Sequence, residues 1–214
     1  MADPAREVDV IDTRPTWTTD DVARLEAETA GMDAAALLAH LLRGPLKGRV
    51  AAVSSFGTES AVLLDLVARA APETPVLFVD TLKMFPETLA YRDLLASRLG
   101  LADVRSLTPD AEVLAKRDAA GERWSYDPDG CCAIRKVAPL AAGLDGFDAW
   151  ISGRKGFQAA TRAGLPRFEI EDGRLKINPL SGWTKADLDA WFAANDLPRH
   201  PLEAEGYLSI GCAP

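Results

Sequence analysis

Three clusters in this 214-residue chain combine residue types and spacings suited to chemistry. The first is Ser54-Ser55-Phe56-Gly57-Thr58-Glu59-Ser60, between the apolar run Val50-Ala51-Ala52-Val53 and the apolar-periodic stretch Ala61 to Ala71. Strand, small-residue loop and helix in that order aim backbone N–H groups and the positive end of a helix dipole at an anion, most simply a phosphate. Ser54, Ser55, Thr58 and Ser60 add hydroxyl donors. The run is neither Gly-x-Gly-x-x-Gly nor the Walker pattern, because no Lys follows the loop, so it predicts an anion cradle and no reaction. The second cluster is Ser152 to Arg162, where Arg154, Lys155 and Arg162 stand among hydroxyl and amide side chains. Arginine forks suit phosphate and sulfate oxygens; a solvated loop is the plainer reading. The third is Cys131-Cys132, with Arg135 and Lys136 one turn on and Cys212 far along the chain.

A helix start and two cations beside Cys131 and Cys132 favour thiolate. Three cysteines, two of them adjacent, suit metal or redox chemistry better than structural disulfides; three small buried apolar residues are the alternative. Three thiolates are one short of the usual four for an iron–sulfur cluster or a structural zinc. Asp80-Thr81 ends a second apolar strand beside the anion loop. Asp80 could accept from a ribose hydroxyl or an adenine amino group, or simply cap a turn before Pro86. His40, on a leucine-rich helix, reads as surface or packing, and His200 as a loop residue, so no Ser-His or Cys-His triad is expected.

The elements that must position these groups alternate. Residues 1–17 read as a loose arm. Thr18 caps a first helix ending near Gly31, and a second runs from Asp33 to Arg43 with Leu37, Leu38, Leu41 and Leu42 inward. Strands are expected at Val50–Ser54, Pro75–Asp80, Asp103–Leu107 and Ala149–Ser152, with helices after Gly57, from Pro86 to Leu99, and from Asp110 to Asp118. Residues 121–130 read as a loop. Cys131 to Ala142 has helical spacing, with strain or a break expected near Pro139. Glu171-Asp172-Gly173-Arg174 reads as the turn of a hairpin, and Thr184 caps a last helix to Asn195. This pattern predicts an α/β fold, a mostly parallel twisted sheet with helices on both faces. Ligands of such sheets bind beyond the carboxyl ends of the strands, the edge that collects residues 54–60, 80–81 and 153–162. Residues 1–45 are expected to form a helical segment packed on the core, 46–196 the α/β core, and 197–214 the start of a C-terminal tail.

Composition bounds the partners. Apolar content of 48% and charged content of 26% suit a soluble globular chain. The net charge of −8 argues against nucleic acid, and no apolar run approaches the roughly 20 residues of a membrane span. The N-terminus lacks an apolar signal region, so a cytoplasmic location is expected.

Taken together, the motifs resemble the adenylyl-sulfate and phosphoadenylyl-sulfate reductases of assimilatory sulfate reduction, from about Val50 to Pro214. Four segments carry the resemblance. Ser54 to Ser60 is similar to the pyrophosphate loop, with Phe56 where the related ATP pyrophosphatases have Gly. Val79-Asp80-Thr81 with Phe85-Pro86-Glu87-Thr88 is similar to the Asp-Thr-Gly…Phe-Pro-Glu-Thr segment, with Leu82 in place of Gly. Cys131-Cys132-x-x-Arg135-Lys136-Val137-x-Pro139-Leu140 resembles the motif of the cluster-containing branch. Asn178-Pro179-Leu180, Trp183-Thr184, His200-Pro201-Leu202 and Gly206-Tyr207-x-Ser209-Ile210-Gly211-Cys212 resemble the C-terminal third. At Lys155-Gly156-Phe157 the chain departs from a more basic run.

The resemblance implies an adenine nucleotide alpha-hydrolase-like (HUP-like) fold and reduction of adenylyl sulfate to sulfite and AMP, in sulfate assimilation and cysteine biosynthesis. It implies a [4Fe–4S] cluster on Cys131, Cys132, Cys212 and one further cysteine. It also implies a tail cysteine that attacks the sulfur, and thioredoxin (or glutaredoxin) as reductant. Both additional cysteines are expected beyond Pro214, in a longer protein. Ser54, Ser55, Phe56, Gly57, Glu59, Ser60, Asp80, Thr81, Arg154 and Arg162 are the expected substrate-binding residues, and Lys136 the electrostatic catalytic group. A homo-oligomer is expected. Phosphoadenylyl sulfate as substrate, or ATP pyrophosphatase-type adenylation or sulfur transfer, are the alternatives on the same fold.

Overall fold

A computed structural model describes residues 16–156, 164–207 and 209–213. The expected arm thus lies almost wholly outside the described residues, as does Arg162. Two helices open the described chain, α1 (Thr19–Glu28) and α2 (Ala34–Arg43). Thr18 and Asp21 form a reciprocal capping box on α1, and the Asp33 side chain caps α2. The alternation then runs β1 (Val50–Ser54), α3 (Ser60–Ala70), β2 (Val76–Val79), α4 (Pro86–Leu99), β3 (Val104–Leu107), α5 (Ala111–Arg117). After it come α6 (Arg123–Tyr126), α7 (Pro128–Cys132), a π-helical segment (Ala133–Val137), α8 (Ala138–Gly143) and β4 (Ala149–Ser152). The chain closes with β5 (Phe168–Glu171), β6 (Arg174–Ile177), α9 (Lys185–Ala194) and α10 (Pro201–Ala204).

The strands form one sheet in the order β3-β2-β1-β4-β6-β5, parallel throughout except for the β5–β6 pair. That hairpin turns on Asp172 and Gly173, both at positive φ (50° and 74°), as a two-residue type I′ turn requires. Alternate residues of β1 feed two apolar layers. Val50 and Ala52 join a large core with Leu37, Leu38, Leu41, Val62, Leu66, Tyr91, Leu95, Leu188 and Phe192. Ala51 joins a smaller core on the opposite face with Leu77, Leu144, Phe147 and Trp150. Burial on both faces explains why the central strands read as unbroken apolar runs. Among the described residues no helix is long and apolar enough to cross a membrane.

The structure departs from the sequence reading in two places. Residues 121–130 are not all loop: α6 and α7 lie there, α7 opened by the Asp127 side-chain cap and by Pro128 in its first turn. Helices of four and five residues carry too few apolar positions to show a period. Cys131 to Ala142 is not one regular helix. Its middle widens to a π turn, with the Ala138 N–H bonded to the Ala133 carbonyl, before Pro139 sits in the first turn of α8. Proline has no N–H and its ring clashes with the carbonyl four residues back, so the extra residue per turn relieves the strain that Pro139 predicted.

Candidate active site

The anion loop follows β1 and enters α3. Phe56 is fully buried and stands edge-on to Phe78, ring centroids 5.4 Å apart. Its φ of 51° is a conformation that non-glycine residues rarely adopt, and its amide donates to Ser54 Oγ (3.1 Å). The Phe56 side chain therefore anchors the loop in the core, while Ser54, Ser55, Gly57, Thr58, Glu59 and Ser60 line a cavity of about 260 Å³. Gly153, Arg154 and Lys155 from the end of β4, and Ser209 and Ile210 from the C-terminal segment, complete it. Gly57 lies close to the C-terminal segment: a Cβ at this position would be in van der Waals contact, 3.4 Å, with the Ile210 carbonyl oxygen.

The charges in this cavity are arranged in pairs as well as toward its space. Lys155, 4% exposed, places Nζ 2.8 Å from Glu59 Oε2, tying the loop after β4 to the start of α3. Lys185 Nζ lies 3.9 Å from the other Glu59 oxygen. Arg154 is exposed on the cavity wall. Glu59, expected among the substrate contacts, thus meets cations of the protein, and Thr58 and Lys155, which belong to the loop and basic clusters of the sequence but not to the expected substrate contacts, also line the cavity.

A second, mostly apolar cavity of about 270 Å³ shares Val53, Ser54 and Ser55 with the first. Its other walls include Val79, Thr81, Met84, Lys136, Val137, Leu140, Gly211 and Cys212. The fold thus brings Lys136 and Cys212 to one cavity from segments far apart in sequence. Cys212 reaches it through an antiparallel bridge to Met84, and the Ala213 N–H donates to the Lys83 carbonyl (2.7 Å). Its sulfur lies 3.2 Å from Thr81 Oγ1. Asp80 does not line either cavity; its Oδ1 accepts from the Leu82 N–H (2.9 Å), the turn-capping alternative. Leu82, at φ 58°, occupies the left-handed region that glycine favours.

Behind this cavity is a clamp that the sequence did not disclose. Arg135, buried at the π turn, donates to Asp118 Oδ2 through Nε (3.0 Å) and Nη2 (2.6 Å), and to the Thr81 carbonyl through Nη1 (2.8 Å). One guanidinium thereby joins the Cys131-Cys132 segment, the end of β2 and the chain after α5. The hydrogen bonds of Arg123 and Arg135 hold the Asp118 carboxyl below its ordinary range, against the opposing effect of burial.

The cysteines differ from their sequence reading. Cys131 and Cys132 close α7 rather than open a helix. Burial pushes the buried Cys131 thiol up, with Arg135 acting the other way. Cys132 is exposed and Cys212 half-buried, and none of the three is in a disulfide. Thiol side chains are donors of the kind that hold a soft metal ion or an iron–sulfur cluster, so the donor type of Cys131, Cys132 and Cys212 fits in kind. Among the described residues, however, no three His, Cys, Asp or Glu side chains form a closed metal-binding group.

His200 lies in the loop before α10, as the sequence suggested, but it is 1% exposed and caps that helix. Its Nδ1 accepts from the Leu202 N–H (3.2 Å), which leaves Nε2, 3.1 Å from Thr88 Oγ1, to carry the proton of the neutral ring. Burial lowers its pKa below the ordinary 6.5, against the raising effect of Glu87 and Glu203.

Fold and site together define an α/β domain with a serine-rich loop and basic residues around one cavity at the carboxyl edge of its sheet, and Cys212 and Lys136 on the wall of a second. Residues 49–214 match the phosphoadenosine phosphosulfate reductase domain. An adenosine 5′-phosphosulfate reductase from Chelativorans sp. is 50% identical over 168 residues, 78% of this chain and 69% of that protein. One from Mesorhizobium japonicum is 46% identical over 197 residues, 88% of this chain and 77% of that protein. The chain belongs to the phosphoadenosine phosphosulfate reductase family. Among solved structures, a phosphoadenylyl-sulfate reductase from Candida auris in complex with phosphate superposes with a TM-score of 0.74 at 24% identity, covering 93% of this chain and 97% of that one. An FMN adenylyltransferase from Candida glabrata reaches 0.60 at 15% identity, covering 89% and 64%. At these identities the two structures speak for the mostly parallel α/β fold expected from the sequence.

Proposed function

We propose that this chain reduces adenylyl sulfate to sulfite and AMP, in the assimilation of sulfate toward cysteine. The observation that carries the reading is the shared wall of the two cavities. Ser54 and Ser55 face both a polar space with Arg154 and Lys155 and an apolar space closed by Lys136 and Cys212. An adenine nucleotide, with a flat aromatic base and an anionic phosphosulfate, suits a space that spans both compartments, with Lys136 and Arg154 on its walls. The names of the two relatives, and the Cys-Cys motif, favour adenylyl sulfate over its 3′-phosphorylated form.

Displacement at a sulfate sulfur requires its oxygens to be neutralised before a thiolate can approach. Lys136 and Arg154 supply that charge, with Arg162 as a further candidate. A cysteine beyond Pro214 attacks the sulfur, the S–O bond to the phosphate breaks, and AMP leaves. The enzyme S-sulfocysteine is then attacked by one thiolate of a dithiol protein such as thioredoxin, which releases sulfite. The second thiol resolves the mixed disulfide, so the two electrons come from the dithiol. Cys131, Cys132 and Cys212 with one more thiolate would hold a [4Fe–4S] cluster, which would supply charge to the site.

The test uses the complete protein, purified without oxygen, with reduced thioredoxin. Sulfite and AMP should form from adenylyl sulfate faster than from phosphoadenylyl sulfate, and the protein should contain iron and labile sulfide in equal amounts. Preference for the 3′-phosphate form, or ATP cleavage to AMP and pyrophosphate, would overturn the substrate assignment. Zinc without iron would overturn the cluster.

A further inference from the structure

We infer that Asn178 is a positioning residue for the polar cavity: it clasps both stems of the segment between β4 and β5, and thereby sets Gly153, Arg154 and Lys155 on the cavity wall. The identity of the ligand rests on the reductase reading above; the clasp itself does not.

Asn178 follows β6 directly and is fully buried. On the departing stem, Ser152 Oγ donates to Asn178 Oδ1 (2.5 Å) and accepts from the Arg154 N–H (3.4 Å). On the returning stem, Asn178 Nδ2 donates to the Pro166 carbonyl (2.9 Å) and to Glu169 Oε1 (2.6 Å). The Asn178 N–H donates to the Arg167 carbonyl (2.8 Å). Its own carbonyl accepts from the Ser181 N–H (3.1 Å), and the Ser181 carbonyl accepts from the Gly156 N–H (3.1 Å). Every polar group of Asn178 is used. The amide orientation follows from the partners, because a carbonyl and an ionised carboxylate only accept, so the nitrogen must face them and the oxygen must face the hydroxyl. Aspartate would repel Glu169 and could not donate to Pro166; leucine would leave buried groups on both stems unpaired. The turn 178–181 thus holds residues 152, 156, 166 and 167 from one point, and the three residues that line the cavity lie between two of those grips.

The experiment measures AMP binding and hydrogen–deuterium exchange in the complete protein. Asn178→Ala should weaken AMP about tenfold, as loss of a buried hydrogen-bonded contact would. It should raise exchange at 153–156 and 164–167, and raise KM for adenylyl sulfate with little change in kcat. Ser152→Ala, which keeps the Pro166 and Glu169 bonds, should raise exchange only at 153–156 and weaken AMP less. The double variant should bind AMP no worse than Asn178→Ala alone. A lowered melting temperature in Asn178→Ala with wild-type AMP affinity and wild-type exchange in both stems would overturn the clasp. If Asn178→Ala does not fold, Ser152→Ala decides: unchanged affinity and exchange overturn it. Wild-type protein that binds AMP yet releases no sulfite would defeat the reductase reading, and the exchange pattern would still decide the clasp.

Discussion

The two ends of the site are built in different ways. The polar end stands on regular elements: β1 and α3 hold the loop, Phe56 roots it in the core against Phe78, and Asn178 grips the segment opposite. The thiol end is assembled from irregular backbone: a π turn, a left-handed Leu82, and an isolated bridge that brings in Cys212. Core packing together with the Asn178 hydrogen bonds fixes the first, and hydrogen bonds around a single guanidinium fix the second. An anion cradle needs donors at set positions before the ligand arrives.

The sharpest way to break this contrast is Arg135→Ala. It strands the Asp118 carboxylate in the interior, and removing one member of a buried pair costs about 3–5 kcal/mol. Urea unfolding should show that loss, and a change below about 1 kcal/mol would mean that the clamp does not hold the thiol end. Next is Lys136→Ala, at an exposed position. Removing one transition-state charge donor should lower kcat about 10²–10³-fold with an unchanged melting temperature; full activity would remove Lys136 from the chemistry.

A third, smaller effect lies apart from both ends. Because burial depresses the His200 pKa below 6.5, the unfolded chain binds the extra proton first as pH falls. The stability contributed by the neutral ring is therefore whole above pH 6.5 and is lost progressively below it. Unfolding midpoints between neutral and mildly acidic pH should fall in wild type and flatten in His200→Gln; equal slopes would count against this assignment. The smallest effect is expected for Leu82→Gly. Relief of a left-handed conformation gains about 1–2 kcal/mol, and the greater freedom of the unfolded glycine removes about 0.4–1. Thermal unfolding should shift upward slightly, and a clear loss would show that the exposed Leu82 side chain makes a contact that matters.

What the sequence disclosed follows the same division. The polar end was legible because it sits on long periodic elements: an apolar strand, a small-residue turn and an apolar helix announce a cradle without knowledge of any partner strand. The Asp172-Gly173 turn was legible because backbone geometry at positive φ restricts the residue types. The thiol end was legible only as a set of cysteines. Nothing in the pattern around Arg135 says that its guanidinium turns inward to Asp118 and Thr81, because the partners lie 17 and 54 residues away. His200 is the loop residue that the sequence suggested, but its burial was not legible: Thr88 and Tyr91 on α4, more than 100 positions earlier, create it.

The segment 209–213 has one more consequence. Ser209 and Ile210 belong to the wall of the polar cavity, and two residues later Cys212 belongs to the thiol end. A displacement of this short piece is felt in both compartments. Thermodynamic linkage then sets a condition: whatever factor the docking of Cys212 against Met84 and Thr81 would confer on a ligand of the polar cavity, that ligand would return to the docking.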